Sequence, residues 1–289
     1  MSDFLTSATY QLIWPDSANT VYTIGAANGI THVSLDGTGI PEARRSYEPY
    51  LTSDGGNDSG FRLDVRRMVW KVLIQAADEY GLDDARANLF SVFRPIEDPF
   101  RLRVTRADGA VRQINCYVDG PIELEEAKGY AYTASIPLIA PDPLWYDPVE
   151  KSQTFTSWTN PITVTYGGTW YEFPIIEVTG EVVNLQLQNI ASSSLGGRAG
   201  QIELNTVPAG EVYTINLRPG QKTITDASGN NVLGTAIDST SSLSFNLFVE
   251  FRLWPTPWKT GGANNISIGG TPGSGGQLKF VWFNRYIGL

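Results

Sequence analysis

The sequence predicts an all-β chain with one short helix, organised as two domains. Three observations carry this. Short apolar or alternating runs recur along the chain, separated by Gly- and Pro-rich turns; Gly supplies 29 and Pro 17 of the 289 residues. Only residues 82–93 show helical spacing. The charge also breaks in the middle. Residues 1–150 carry 13 basic and 22 acidic side chains, a balance of −9, whereas residues 151–289 carry eight of each. The predicted domains are 1–148 and 149–289.

In chain order, ATYQLIWPDSANTVYTI (8–24) is β-rich but interrupted at Trp14–Pro15, which predicts two strands or a bulge. Residues 25–60 read mainly as loop, because GAANGI, LDGTGIP and TSDGGNDSG are turn chemistry. From Gly60 to Ala77, Phe61, Leu63 and Val65 alternate with Arg62, Asp64 and Arg66, a strand period. The helix at 82–93 takes Asp83 or Asp84 as its cap, repeats Ala85, Leu89 and Val92, and stops at Arg94–Pro95. FRLRVTR (100–106) and AVRQINCYV (110–118) flank Asp108–Gly109 as a hairpin. Residues 121–127 and 130–138 form a second pair of strands. Four prolines between Pro137 and Pro148 predict a stiff interdomain segment.

Beyond residue 150, runs at 162–166, 172–179, 182–190, 201–205, 211–217, 222–226, 231–233, 244–253, 264–268 and 277–286 predict a β-sandwich or jelly roll.

Composition excludes several classes. One cysteine (Cys116) and one histidine (His32) leave no disulfide framework and no Cys- or His-rich metal centre. The net charge of −9 argues against gripping a phosphate backbone, so sequence-specific nucleic-acid binding is not expected. No apolar run reaches the ~18 residues of a membrane helix, so no membrane insertion is expected. MSDFLTSATYQ has no secretory pattern, which predicts folding in a cytoplasm.

Chemistry-bearing residues are sparse. His32 in ITHVSLD would be the sole imidazole base of any triad, and a lone His beside a strand is more often structural. Asp54-Gly-Gly-Asn-Asp58 has oxygen ligands and tight glycines, but a single copy reads first as a solvated hairpin loop. GTGIP (37–41) and GGRAG (196–200) lack the Lys-Ser/Thr of a phosphate loop. Glu172, Glu177, Glu181 and Glu203 offer carboxylates for glycoside hydrolysis, with no spacing that selects a pair. No catalytic, cofactor or metal residue is therefore assigned, and no enzyme activity is expected. Arg62, Arg66, Arg67 and Lys71, with Arg101, Arg103, Arg106 and Arg112, form the one cationic concentration; Arg62, Arg66, Arg67, Arg101 and Arg103 are candidates for an interface with acidic neighbours. Trp254 and Trp258, in a Pro-rich loop, are candidates for sugar or partner contact.

The chain resembles the distal tail proteins of long-tailed phages. The resemblance rests on IPLIAPDPLWYDP (136–148), the DGTGIP loop (36–41), GGNDSGF (55–61) and the single helix. Downstream it rests on Gly180–Asn184, PAGEVYTINLRPG (208–220), SGNNV (228–232) and the ending LFVEFRLWPTPWKTGGANNISIGG with LKFVWFNRYIGL. It departs from the family where a short Pro-Gly turn is expanded to Trp254–Gly262. The resemblance implies a β-barrel-like, ring-forming N-terminal domain with a long hairpin, and a galectin-like C-terminal β-sandwich. It implies a homo-hexameric ring in the virion, assembled in the host cytoplasm. That ring would join the tail tube to the tail tip or baseplate hub and line the DNA channel, where an acidic lining repels passing DNA. Implied partners are the tail tube protein and tail-tip hub or tail-fibre proteins. The alternative is a receptor-binding tail component that attaches to a host-surface glycan through its C-terminal sandwich.

Overall fold

The computed structural model describes residues 8–16, 18–25, 28–51, 54–127, 129–190, 201–204, 206–232, 251–255 and 262–289. Two compact units emerge: Met1–Pro148 together with Ile287–Leu289, and Val149–Tyr286. Residues 287–289, grouped by the sequence with the C-terminal domain, thus belong to the first unit.

The first unit contains β1 (Thr9–Ile13), β2 (Val21–Ile24), β3 (Ile30–Asp36), β4 (Ala43–Pro49), β5 (Gly56–Leu63), β6 (Arg66–Gln75), α1 (Glu79–Val92), β7 (Phe100–Thr105), β8 (Val111–Val118), β9 (Glu123–Ala127), β10 (Ala131–Ala140) and β11 (Trp145–Tyr146). The main sheet follows the path β2-β1-β7-β8-β10-β6-β3, with β9 on β10. It does not close into a barrel. Its two ends meet at one bridge, Gly25 to Ile30, rather than along a ladder.

Core formation follows the period-2 pattern. On β6, Arg66, Met68, Trp70, Val72 and Ile74 face inward. On β7, Phe100, Leu102 and Val104 do so. Trp70 and Phe93 meet edge to face at 5.6 Å, and Phe93 and Phe100 at 6.3 Å. Helix α1 closes this core with Leu82, Leu89 and Val92. Its cap is Asp78, whose carboxylate accepts from the Gly81 N–H at 2.8 Å. The helix therefore starts one turn earlier than the sequence-based choice of Asp83 or Asp84, because Asp78 is the acid that stands on extended backbone.

Two further differences matter. Residues 25–60, read mainly as loop, contain β3, β4 and much of β5. Pro137–Ala140, read as part of an irregular linker, completes β10 opposite Val69–Arg66. Pro137 fits because its carbonyl still accepts from Asp119 N–H, so the strand loses only one donor.

The second unit is a two-sheet sandwich. One sheet runs β12 (Lys151–Phe155), β20 (Gln277–Trp282), β14 (Ile175–Thr179), β17 (Val212–Asn216) and β18 (Thr223–Thr225). The other runs β13 (Ile162–Thr165), β19 (Ala263–Pro272), β15 (Val182–Asn189) and β16 (Gln201–Leu204). Their inward residues, among them Ile176, Val178, Leu185, Leu187, Ile215, Ile266, Leu278 and Phe280, share one buried cluster. Residues 244–250 of the expected 244–253 strand lie outside the described residues.

Candidate functional site

The most exposed ordered element is the arm formed by β4 and β5. These strands pair with each other and with no other strand, as a separate two-stranded sheet. Every residue of β4 is exposed, and so are six of the eight in β5. A two-stranded hairpin in water is marginal on its own, because neither face buries apolar area. Here Tyr47, Leu51 and Phe61 are at least half exposed. Gly60, at φ +103°, sits where the register slips between Arg45–Phe61 and Tyr47–Asp58. The side-chain ties within the arm include the Arg45–Asp58 ion pair at 2.6 Å, Arg45 over the Phe61 ring at 5.3 Å, and Tyr50 Oη donating to Asn57 Oδ1 at 3.0 Å. The acidic glycine segment 54–58 thus turns and ties the arm tip. Arg44 and Arg62 lie directly opposite, a like-charge pair that is unfavourable unless an anion approaches. Arg44 pairs with Asp64 at 2.5 Å; Arg62 has no carboxylate partner among the described residues.

Arg66 is a correction. The sequence places it in an interface set, but it is 1% exposed and used internally. Its Nε donates to Pro143 O at 2.7 Å. Nη1 donates to Gly37 O and Gly39 O at 2.7 and 2.6 Å, and Nη2 to Ile287 O at 2.7 Å. Burial pulls this guanidinium down to about 10, opposed by the nearby Asp142 charge, so it stays cationic at neutral pH. Gly37 is required here: at φ +83° its backbone lies so close that a Cβ would stand 2.3 Å from Arg67 O.

The other arginines do not converge. Arg67 is exposed on β6 and pairs with Asp119 at 2.8 Å. Arg101 donates to Asn19, and Arg103 to Gln113 at 3.3 Å, on the outer face of β7. In the sheet β7 is separated from β6 by β8 and β10. His32 is structural. Trp70 Nε1 donates to its Nδ1 at 3.0 Å, and its ring stacks on Tyr10 at 3.9 Å.

In the second unit, Glu172 and Leu253 form an antiparallel bridge and both point inward. Alternation therefore puts Tyr171, Phe173, Arg252 and Trp254 together on the other side, each partly exposed. Asn189 and Asn264, both fully buried, hold this segment. Asn189 Nδ2 donates to Arg252 O at 2.6 Å, and Trp254 N–H donates to Asn264 Oδ1 at 2.8 Å. The Arg252 guanidinium lies 4.4 Å from the Tyr171 ring centre, 5.3 Å from Phe173 and 5.8 Å from Trp254. The sequence offers Trp254 as a candidate; Arg252, two residues before it, carries no such signal. Trp258 lies outside the described residues.

Two of the carboxylates weighed for sugar hydrolysis are held by cations on different elements. Glu172 is buried against Arg285 at 3.3 Å, and Glu177 is bound by Lys279 at 2.9 Å on another strand. Among the described residues no group of three or more His, Cys, Asp or Glu could hold a metal ion.

Comparison with known proteins agrees with this architecture. Residues 18–140 match the family model of the phage tail protein RIFT-related domain. No curated protein matches the chain. Among solved structures, the Dit protein of phage SPP1 superposes with a TM-score of 0.65 at 12% identity, covering 96% of this chain and 98% of that one. It is described as a paradigm of the hub adsorption apparatus in phages that infect Gram-positive hosts. A chain of the phage P2 baseplate in its activated conformation with Ca reaches 0.42 at 8% identity, over 95% and 97% of the two chains, too distant a likeness to argue from. Residues 18–140 thus match the phage tail protein RIFT-related domain, in a chain whose fold is similar to that of the phage SPP1 Dit protein.

Proposed function

We propose that this protein is a structural ring component of a phage tail, placed at the distal end between the tail tube and the tail-tip hub or tail-fibre proteins. Copies close head to tail into a homo-hexamer, and the acidic N-terminal half lines the DNA channel. The observation that carries this reading is the β4–β5 arm. A hairpin with both faces in water and three large apolar side chains exposed gains stability only by docking on another molecule. An arm on one copy that docks on a different surface of the next is a head-to-tail contact, the kind that closes rings. The acidic first half suits a channel through which DNA must slide without adhering.

Class averages of the purified protein in negative stain test this, and six-fold rings are expected. The double variant Leu51→Ser, Phe61→Ser removes two side chains whose burial is worth ~1.5–3 kcal/mol each. It should weaken each contact more than 100-fold and shift the protein to monomers with an unchanged circular dichroism spectrum. Rings of another order, or undiminished assembly of the double variant, would refute the proposal.

A second reading has one observation in its favour: the partly exposed aromatic face of Tyr171, Phe173 and Trp254. On this reading the C-terminal unit contacts a host-surface glycan, with sugar rings lying on the aromatic faces.

A further inference from the structure

We infer that the Tyr171–Trp254 face is a binding site for an anionic saccharide, in which aromatic rings carry the sugar and Arg252 and Lys222 take its charged group. This rests on the second reading above, and it names the ligand class.

Arg252 sits over three rings, so its guanidinium is surrounded by aromatic neighbours. Its remaining binding capacity is along the edge, in the N–H groups. Among the described residues those groups have neither a carboxylate nor a hydrogen-bond partner. Its Nε is shielded from water, so the two Nη groups are the ones left to meet a ligand. Lys222, just before β18, brings its ammonium 6.0 Å from the Phe173 ring centre. It too lacks an acidic partner among the described residues. Burial, then the Arg252 charge, holds Lys222 below its ordinary value. Three other cations of this unit have acids beside them: Arg218 has Glu150, Arg285 has Glu172, and Lys279 has Glu177. Arg252 and Lys222 instead repel each other beside one phenyl ring, and an incoming anion resolves the repulsion.

Geometry supplies the rest. The Tyr171 and Trp254 rings are 5.8 Å apart and tilted by 58°, so they form a shallow aromatic floor rather than a closed stack. A pyranose ring laid on that floor would place a carboxylate or phosphate substituent beside the planar fork of Arg252, which suits two-point recognition of such groups. The floor is held from behind by the buried Asn189 and Asn264, so it is formed before any ligand arrives.

The test is titration calorimetry on the full chain with four probes: glucuronate, glucose 1-phosphate, neutral methyl glucoside and inorganic phosphate. The two anionic sugars should bind about 10-fold or more tighter than the neutral one, the worth of a charge-assisted hydrogen bond. That margin should shrink as salt rises from low to high. The Arg252→Met, Lys222→Met variant should abolish it. A weak but equal affinity for all three sugars overturns the anionic inference and leaves the glycan reading standing. Phosphate binding as tight as glucose 1-phosphate overturns the inference by showing that the floor contributes nothing. No sugar binding at millimolar concentration overturns the inference and the glycan reading together. The salt dependence in the unmutated chain decides the matter even if the double variant fails to fold.

Discussion

Replacing Arg66 by Met should destabilise the N-terminal unit by roughly 4 kcal/mol. The magnitude follows from the bonds lost. Arg66 makes four hydrogen bonds to backbone carbonyls at 2.6–2.7 Å, from a side chain that is 1% exposed. Hydrogen bonds from charged donors contribute about 1.5–3 kcal/mol each, roughly 6–12 kcal/mol for the set. Against this stands the cost of burying the charge. A fall from 12.5 to about 10 corresponds to roughly 3 kcal/mol, and the Met variant is spared it. The difference spans ~3–9 kcal/mol. The lower part applies, because loop carbonyls left behind can relax toward water, and breaking a buried charge network typically costs about 3–5 kcal/mol. Arg66→Lys should lose about half as much, since an ammonium has three donors and cannot fan across four acceptors. Chemical denaturation followed by tryptophan fluorescence reads the change, because Trp70 and Trp145 are fully buried in this unit. Hydrogen exchange should accelerate at Leu289, whose N–H donates to Thr38 O between the Arg66 acceptors Gly37 and Gly39. A loss below 1 kcal/mol with unchanged exchange would refute the clamp.

Two further outcomes are expected. Cys116 is fully buried and its thiol is pushed up by burial, so it should not react with a disulfide reagent at about pH 8 in the native protein, yet yield one equivalent once unfolded. Asp226 lies in an exposed turn, where the Asn230 side chain and the backbone N–H groups of Asn230, Ser228 and Gly229 hold its carboxyl below the ordinary 3.8. Its stabilising effect should therefore be complete above the unfolded value and vanish as pH falls through the folded one. Carboxyl NMR should place its midpoint below 3.8 and return it toward that value in Asn230→Ala, and a midpoint at 3.8 in the unmodified chain would contradict the turn geometry.

What was legible in the sequence had a pattern with one buried side. Helix α1 showed through Ala85, Leu89 and Val92, and the β7–β8 hairpin through alternation around Asp108–Gly109. The arm was illegible because both its faces meet water, so β4 has no apolar alternation to detect. Arg66 was misplaced for a phase reason. Alternation through Phe61, Leu63 and Val65 puts even-numbered residues outside, but the strand breaks at Asp64–Val65. Beyond the break, even-numbered residues from Arg66 to Ile74 face inward. A single-residue slip turns every side chain to the other face, and composition gives no warning of it. The cationic concentration was visible as a count. Its division among the arm, β6 and β7 was not, because only pairing fixes which strands are neighbours.

The Arg66 clamp also imposes an order in time. Three of its acceptors lie within the first 143 residues, but the fourth, Ile287 O, is translated only after the whole second unit. At ~5–20 residues per second, the intervening stretch takes roughly 7–30 s to synthesise. Throughout that interval a nascent N-terminal unit holds a buried guanidinium with one edge unmatched. A still longer stretch separates Arg112 from its acceptor, Gly288 O. Completion of the first unit is thereby tied to completion of the second, and a ribosome stalled between them leaves a first unit that is recognisably unfinished.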